Sequence, residues 1–207
     1  SPENSFETDL SMHYHGNYLS FDLAGFSNQI NHYIFISPTT DTTASGVIIY
    51  RFSQTNAMLY GGEAGIHFHP QILPWLHIKG TFSSVIGKQE NGDYLPFIPA
   101  NKVRYEIRAE RKKLGFLTNP NIKISALSAF SQNNPSPFET VTDGYTLVNL
   151  SAYSEVPVSK QTLIFGISVN NLFDKQYFDH LSTLKPLNFF NQGRNINVSL
   201  KIPFDLL

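Results

Sequence analysis

The chain has 207 residues, with 15 Lys and Arg against 16 Asp and Glu, a formal net charge of -1 and no cysteine. This balance lacks the excess of positive charge that is typical of nucleic-acid-binding proteins, and so argues against that class. The lack of Cys excludes disulfides, thiolate metal sites and Cys nucleophiles. The longest apolar run, 47–50, is far shorter than the roughly 18 residues of a transmembrane helix. Residues 1–4 have no signal-peptide character, so any membrane contact is expected without a helix.

Alternation of apolar and polar residues runs through nearly the whole chain and predicts an all-β protein. In one segment Val103, Tyr105 and Ile107 alternate with charged residues, so one face of the strand is apolar and the other is charged. Such segments number about nine. Their predicted bounds are 5–15, 18–36, 46–69, 75–87, 101–113, 121–132, 144–156, 161–171 and 192–204.

The second predicted strand changes phase near Gly25 and Phe26. Apolar residues before this point and after it fall on opposite faces if the strand is regular. A one-residue slip beside a glycine is typical of a β-bulge, and we expect the bulge at this position.

The connections between the strands alternate in length. Short turns are predicted near Gly16 and at 70–74, 114–120 and 157–160. Long loops are predicted at 37–45, 88–100, 133–143 and 172–191. This alternation is typical of outer-membrane β-barrels, which have short periplasmic turns and long extracellular loops.

Amphipathic strands fit a soluble barrel with an apolar interior as well as a membrane barrel with an apolar exterior. Aromatic residues near the strand ends favour the membrane, because such residues form girdles at the two lipid–water interfaces. We therefore expect a bacterial outer-membrane protein with apolar side chains facing lipid. The girdle residues are Tyr14, Tyr18, Tyr33, Phe35, Tyr50, Tyr60, Phe68, Trp75, Tyr145, Tyr153 and Phe204.

Three motifs, in order, carry a family resemblance over roughly residues 45–204. The first is Gly61-Gly62-Glu63-Ala64-Gly65, and the second is the stretch 94–100 (YLPFIPA). The third is a C-terminal box made of Asn171, Leu172, Phe173, Asp174, Tyr177, His180, Gly193, Arg194 and Asn195. With these three motifs in this order, the chain resembles TonB-dependent outer-membrane receptors.

The resemblance implies an antiparallel transmembrane β-barrel of 22 strands with a plug in its lumen. About nine strands leave two edges unpaired in hydrocarbon, where unsatisfied backbone groups are costly. We therefore expect residues 1–207 to be the C-terminal portion of such a barrel, without the plug and the N-terminal strands, which a companion chain or a longer protein supplies. The expected partners are outer-membrane lipid, the missing strands and plug, TonB and the barrel-assembly machinery, and no nucleic acid.

The last strand also resembles the family's assembly signal, in which apolar residues alternate before a terminal aromatic residue. Ile196, Val198, Leu200, Ile202 and Phe204 fit this pattern. Residues 205–207 depart from it, because the aromatic residue usually ends the chain.

Five histidines form a candidate metal site near the periplasmic rim of the inner face: His13, His15, His67, His69 and His77. Each His-x-His pair on a strand projects to one face, and imidazoles can bind Zn²⁺, Cu²⁺ or Ni²⁺. Hydrogen bonding with a plug or with water is the structural alternative.

The last long loop holds Tyr177, His180 and Lys185, which are candidates for contact with an anionic metal chelate. Packing within the loop explains the same residues. No cofactor is expected beyond such a transported chelate.

No enzymatic motif is present, so we do not expect an enzyme. The resemblance implies a receptor that imports a scarce nutrient, such as a ferric siderophore, with energy from TonB. The alternatives are a passive porin or adhesion barrel, a soluble β-barrel that binds a small hydrophobe, and an outer-membrane hydrolase, for which no Ser–His pair is found.

Overall fold

The computed structural model describes residues 1–158 and 161–203. One antiparallel sheet dominates them, together with a single turn of 3₁₀ helix at Lys185–Leu187. Within these residues no helix is long and apolar enough to cross a membrane. The strands are β1 (Asn4–His15), β2 (Leu19–Thr42), β3 (Ile48–Phe68), β4 (Leu76–Gln89), β5 (Lys102–Glu110), β6 (Lys113–Leu114), β7 (Leu117–Ala129), β8 (Tyr145–Val158), β9 (Gln161–Asn170) and β10 (Asn195–Lys201).

The sheet is a simple meander in which each long strand pairs with the next along the chain, in the order β1-β2-β3-β4-β5-β7-β8-β9-β10. The short β6 only closes the hairpin into β7. In the described part of the chain β1 pairs with β2 alone and β10 with β9 alone. The sheet is therefore open at two edges. The all-β, antiparallel expectation is confirmed, and its nine predicted segments correspond to the nine long strands.

Two details of the sequence prediction are wrong. The segment 37–45 is not a long loop, because β2 continues to Thr42 and pairs with β3 almost to the turn. Side chains support this ribbon: Thr39 Oγ1 donates to the Ile49 carbonyl (2.8 Å), and Arg51 forms an ion pair with Asp41 (3.0 Å). The run of Ser, Thr and Asp has the composition of a loop, but an exposed hairpin accepts the same residues.

The bulge is also elsewhere. Gly25 and Phe26 pair in unbroken register with Gly62 and Gly61. The register shifts instead between Ile30 and Tyr33, where His32 has a φ of 59°, and again between Pro38 and Thr42 near the turn. A Cβ on Gly61 would lie 2.9 Å from the ring of Phe26. Gly61 thus leaves space for the ring of Phe26 on the polar face. Because Phe26 is an apolar residue at a position of the polar face, the sequence pattern looked like a change of phase.

The register separates two faces. One face, here called the outer face, carries Ile107, Ile124, Ile167, Val198 and Leu200. These apolar side chains are between 40% and 61% exposed instead of meeting in a dry core, as expected for a wall that faces lipid. The soluble-barrel alternative requires the reverse arrangement and is wrong.

The opposite face, here called the inner face, carries the charged residues. Arg108 pairs with Glu110 (3.4 Å), and Lys123 lies 3.7 Å from Glu106 on the neighbouring strand. Opposite charges therefore neutralise one another along this wall.

The tightest apolar cluster lies on the inner face, beneath the loop 90–101. Leu95 is fully buried and packs with Ile98 and Ala57, and partly buried Tyr33, Leu59 and Val85 surround them. A Cβ on Gly87 would lie 2.8 Å from Ile98 and 2.9 Å from Leu95. The missing side chain at position 87 thus lets the loop lie flat against the wall.

We expect Leu95→Ala to release the loop 90–101 from the inner face, because truncating a buried Leu costs about 2–5 kcal/mol. Limited proteolysis of the folded barrel should then cut this loop faster. Leu187→Ala is the matched control, because Leu187 is 65% exposed. Equal protection of the loop in both variants would contradict this packing.

Candidate functional site

Three long loops at one end of the sheet, 90–101, 130–144 and 171–194, form one hydrogen-bonded unit, here called the loop cap. Gln132 Nε2 donates to the carbonyls of Ile98 (3.0 Å) and Pro99 (3.2 Å), which joins the first two loops. Lys185 Nζ donates to the Thr140 carbonyl (2.7 Å), which joins the second loop to the third. The loops therefore hold one another in place.

The C-terminal box begins with Asn171, which organises the third loop. Its side-chain oxygen accepts the Lys175 N–H (2.8 Å), and its amide nitrogen donates to the carbonyls of Lys175 (2.9 Å) and Gln192 (3.4 Å). The residue is 3% exposed and has a φ of 50°. Asparagine is suited here because it tolerates positive φ and carries both an acceptor and a donor.

The end of the same loop is fixed by Asp174, whose Oδ1 accepts the backbone N–H of Arg194 at 2.8 Å. A Cβ on Gly193 would lie 2.8 Å from this oxygen, so a larger residue at position 193 would displace the carboxylate that accepts the Arg194 N–H. Asn195 then pairs with Asn170 to start β10. Of the box residues in this part, Phe173 contributes least to the contacts, with 74% exposure. Leu172 hydrogen-bonds to Val148 through its backbone.

Asp179 connects the third loop to two strand ends. Its Oδ2 accepts the Tyr145 hydroxyl (2.6 Å) and the Lys102 ammonium (3.2 Å), and the ring of Tyr177 lies 4.4 Å from that of Tyr145. Burial alone would raise the pKa of Asp179, but the hydrogen bonds and Lys102 hold this pKa below its usual value. Burial and the charge of Asp179 raise the pKa of Tyr177. At neutral pH the cap thus contains an ionised Asp179 and a protonated Tyr177.

His180 is 8% exposed and lies between two loops. Its Nδ1 is 2.8 Å from Thr142 Oγ1, and its Nε2 is 3.8 Å from Glu139 Oε1. The Lys185 ammonium also donates to Thr142 Oγ1. The neutral tautomer that fits carries its proton on Nε2, toward the carboxylate, and accepts the Thr142 proton at Nδ1.

Glu139 is the acceptor shared by the cap. Its Oε2 accepts the Ser136 N–H (3.1 Å) and hydroxyl (2.8 Å), and its Oε1 accepts the Phe97 N–H (3.1 Å). Burial opposes ionisation, but His180 and these donors lower the pKa of Glu139 to about 2. Burial lowers the pKa of Lys185, against the opposing fields of Glu139 and Asp143.

The structure brings Tyr177, His180 and Lys185 together in the cap, where His180 and Lys185 hydrogen-bond within the chain and the ring of Tyr177 lies against that of Tyr145. Contact of these three residues with a chelate therefore stays a prediction. Sequence reasoning missed the residues that hold them: Lys102, Glu139, Thr142 and Tyr145. Tyr145 was expected in the aromatic girdle, but it is buried and donates to Asp179. No motif or periodicity indicates the contacts of these residues, because their partners are 34 to 77 positions away.

The five candidate metal ligands divide into two groups on the inner face. His13 Nδ1 bonds to Asp22 (2.7 Å), and His15 Nδ1 bonds to its neighbour's carbonyl (3.0 Å). His67 Nε2 is instead 3.1 Å from His77 Nδ1, and the ring of His67 is tilted against that of His69, with centroids 4.7 Å apart. Across the part of the chain that the structure describes, no three His, Asp or Glu side chains are arranged to hold a metal ion. Metal binding here stays a prediction.

The residues of the assembly signal lie on β10 and just after it. Ile196, Val198 and Leu200 face outward with 58% to 64% exposure, and Ile202 is 46% exposed. Phe204 lies outside the described residues. The role of this strand in assembly stays a prediction.

We expect the loop cap to loosen in acid through Glu139. The folded-state pKa of Glu139, about 2, lies below its ordinary value of 4.5. The ionised carboxylate of Glu139 therefore stabilises the folded cap fully above pH 4.5. This stabilisation, about 1–3 kcal/mol, is lost as the pH falls toward 2. Hydrogen-exchange protection factors, corrected for the intrinsic pH dependence, should fall in this range in loops 90–101 and 130–144. Glu139→Gln should abolish the step, whereas Glu90→Gln, an exposed control, should keep it. A step that survives in Glu139→Gln would contradict this assignment.

Many solved structures resemble this fold, and three of them illustrate the similarity. The copper transporter OprC superposes with a TM-score of 0.78 at 19% identity, over 95% of this chain and 30% of that one. The FrpB iron transporter from Neisseria meningitidis gives 0.68 at 15%, over 96% and 31%. The siderophore receptor PirA from Acinetobacter baumannii gives 0.67 at 16%, over 98% and 32%. The chain thus spans about a third of the length of these proteins, and at such identities the likeness shows the fold alone.

The family model of TonB dependent receptor-like β-barrels matches residues 1–172. This match begins earlier than the resemblance seen in the sequence motifs and ends two residues into the C-terminal box. Members of this family are outer-membrane receptors, not enzymes, and the apolar outer face fits that location. The chain belongs to the TonB-dependent receptor β-barrel family and forms part of an outer-membrane β-barrel.

Proposed function

We propose that this chain is the C-terminal part of a plugged, 22-stranded receptor that imports a scarce metal complex, such as a ferric siderophore, with energy from TonB. The single observation that carries the proposal is the loop cap. It lies at the end of the sheet with the long loops, and its first loop packs against the inner face through Leu95 and Ile98.

The sheet edges support the proposal that further strands complete the barrel. β1 and β10 each offer one unpaired edge within the described residues, while the outer face between them is apolar. Each unsatisfied backbone group in hydrocarbon costs on the order of several kcal/mol. Further strands that pair with both edges would remove this cost, and the barrel-assembly machinery would add them as the barrel closes.

The inner face supports the proposal of a plug. It carries ionised pairs such as Arg108 with Glu110 and also exposed polar groups. Such a wall suits a wet lumen or a polar folded domain, but not an apolar core. A plug held there would be moved by TonB from the periplasmic side.

The choice of cargo is supported by the solved relatives. Those proteins are described as a copper transporter, an iron transporter and a siderophore receptor. A metal complex is therefore the first class of cargo to test on this chain.

Within the cap, we assign contact with an anionic chelate to Tyr177 and Lys185, which keep partial exposure. His180 is buried, so it acts as a positioning residue that keeps Thr142 and Lys185 in place. The three N–H groups of the Lys185 ammonium already have acceptors at Thr140, Val141 and Thr142. We therefore assign to Lys185 an attraction through its positive charge, and not a direct hydrogen bond to an anionic cargo.

We expect uptake of ferric siderophore by the complete receptor to require TonB and the proton-motive force. Cells that lack TonB, or that are treated with an uncoupler, should take up no radioactive iron but should still bind the siderophore at the surface. A passive porin would continue to transport, and this result would contradict the proposal.

We expect Lys185→Met to weaken cargo binding by about tenfold, because it removes a cation that attracts the anionic cargo; tenfold corresponds to about 1.4 kcal/mol. Binding isotherms of the detergent-purified receptor measure this. Lys175→Met is the matched control, since Lys175 is exposed in the same loop. Unchanged affinity in Lys185→Met, with the cap still protected from proteolysis, would contradict the assignment.

A further inference from the structure

An apolar groove of about 610 Å³ opens on the outer face, at the end of the sheet with the short connections. Register places most of its wall residues on the lipid side. The groove is therefore continuous with the membrane-facing wall. The wall residues used here are Ala109, Ile122, Ala152, Phe165 and Ile167.

A cationic rim borders the groove. Arg111, Lys112 and Lys113 follow one another in the exposed hairpin between β5 and β7. Arg111 lines the groove itself, and all three residues line an adjoining recess of about 620 Å³ that also includes Trp75. An apolar cleft and three consecutive cations thus meet at one position.

The carboxylates nearest to this rim are already engaged. Glu110 lies 3.4 Å from Arg108 and 3.3 Å from His77, and Glu155 accepts a hydrogen bond from Asn119 (3.1 Å). The two carboxylates are outnumbered by the three cations of the rim. The mouth of the groove therefore has a positive excess.

We propose that this groove binds an acyl chain of an anionic phospholipid of the periplasmic leaflet, with the lipid phosphate against Arg111, Lys112 and Lys113. Short turns of outer-membrane barrels lie on the periplasmic side, which places the rim at the level of phospholipid headgroups. Trp75 suits the same interface.

Charge complementarity selects this occupant. A zwitterionic lipid brings a cation beside its own phosphate and would leave the three side chains poorly neutralised, whereas each Lys or Arg near an anionic lipid surface contributes about 1 kcal/mol. A periplasmic protein would reach the polar recess but not the groove, which opens into the membrane. The proposal rests on the location of the barrel in the outer membrane and not on the cargo.

The test uses the complete receptor in mild detergent, equilibrated with equal amounts of phosphatidylglycerol and phosphatidylcholine that carry the same acyl chains. Native mass spectrometry should show preferential retention of phosphatidylglycerol. Lys112→Gln should lower the phosphatidylglycerol to phosphatidylcholine ratio about fivefold, which corresponds to the loss of one cation. Lys175→Gln, an exposed change at the opposite end of the sheet, should leave the ratio unchanged.

A second variant tests the groove separately from the rim. Ala152→Phe should fill the groove and lower the retention of both lipids. Heat-modifiable migration shows that each variant is folded. The proposal is overturned if the wild type retains both lipids equally, if Lys175→Gln matches Lys112→Gln, or if Ala152→Phe retains lipid like the wild type. Release of phosphatidylglycerol by millimolar inorganic phosphate would also overturn it, because the rim would then be a site for free anions.

Discussion

The structure depends on a β-sheet that presents apolar side chains on one face and pairs its backbone within the sheet. Hydrocarbon offers no hydrogen bonds, so a strand in the membrane must satisfy its backbone with neighbouring strands. Alternation then sends every second side chain outward, as Ile107 and Leu200 illustrate, and the charged residues between them inward. The low burial of the apolar residues is the expected state of such a wall.

The loop cap follows from the same separation. Loops at the long-loop end have no hydrophobic core of their own, so they obtain stability from each other and from the inner face. Leu95 supplies the main apolar contact, and ionised groups such as Glu139 and Asp179 supply the polar ones. Each of these carboxylates accepts several hydrogen bonds, so in their ionised form they hold the loops of the cap together at neutral pH.

Much of the sheet could be predicted from the sequence, because residues of a membrane-facing strand alternate between the apolar and the polar face and so give a period of two. The bulge could not be located, since Phe26 on the inner face is accommodated by Gly61 on another strand. The β2–β3 ribbon was mistaken for a loop, because its exposed pairs need no apolar residues. The cap network was also beyond prediction: Lys102 and Asp179 are 77 residues apart, and no local pattern connects them.

The C-terminal box was recognised, and the structure gives its residues contacts: Asn171 adopts a positive φ, and Gly193 leaves space for the Asp174 carboxylate.

The orientation of the two faces can be measured directly, since the chain has no cysteine and single cysteines can be introduced for spin labelling. Labels at Ile107, Ile124 and Ile167 of the receptor in bilayers should collide with oxygen dissolved in lipid and be shielded from a water-soluble nickel chelate. Labels at Arg108, Lys123 and Ser168 should show the opposite accessibility. If the labels at the isoleucine positions are shielded from both reagents, or accessible mainly to the nickel chelate, the apolar face does not meet lipid.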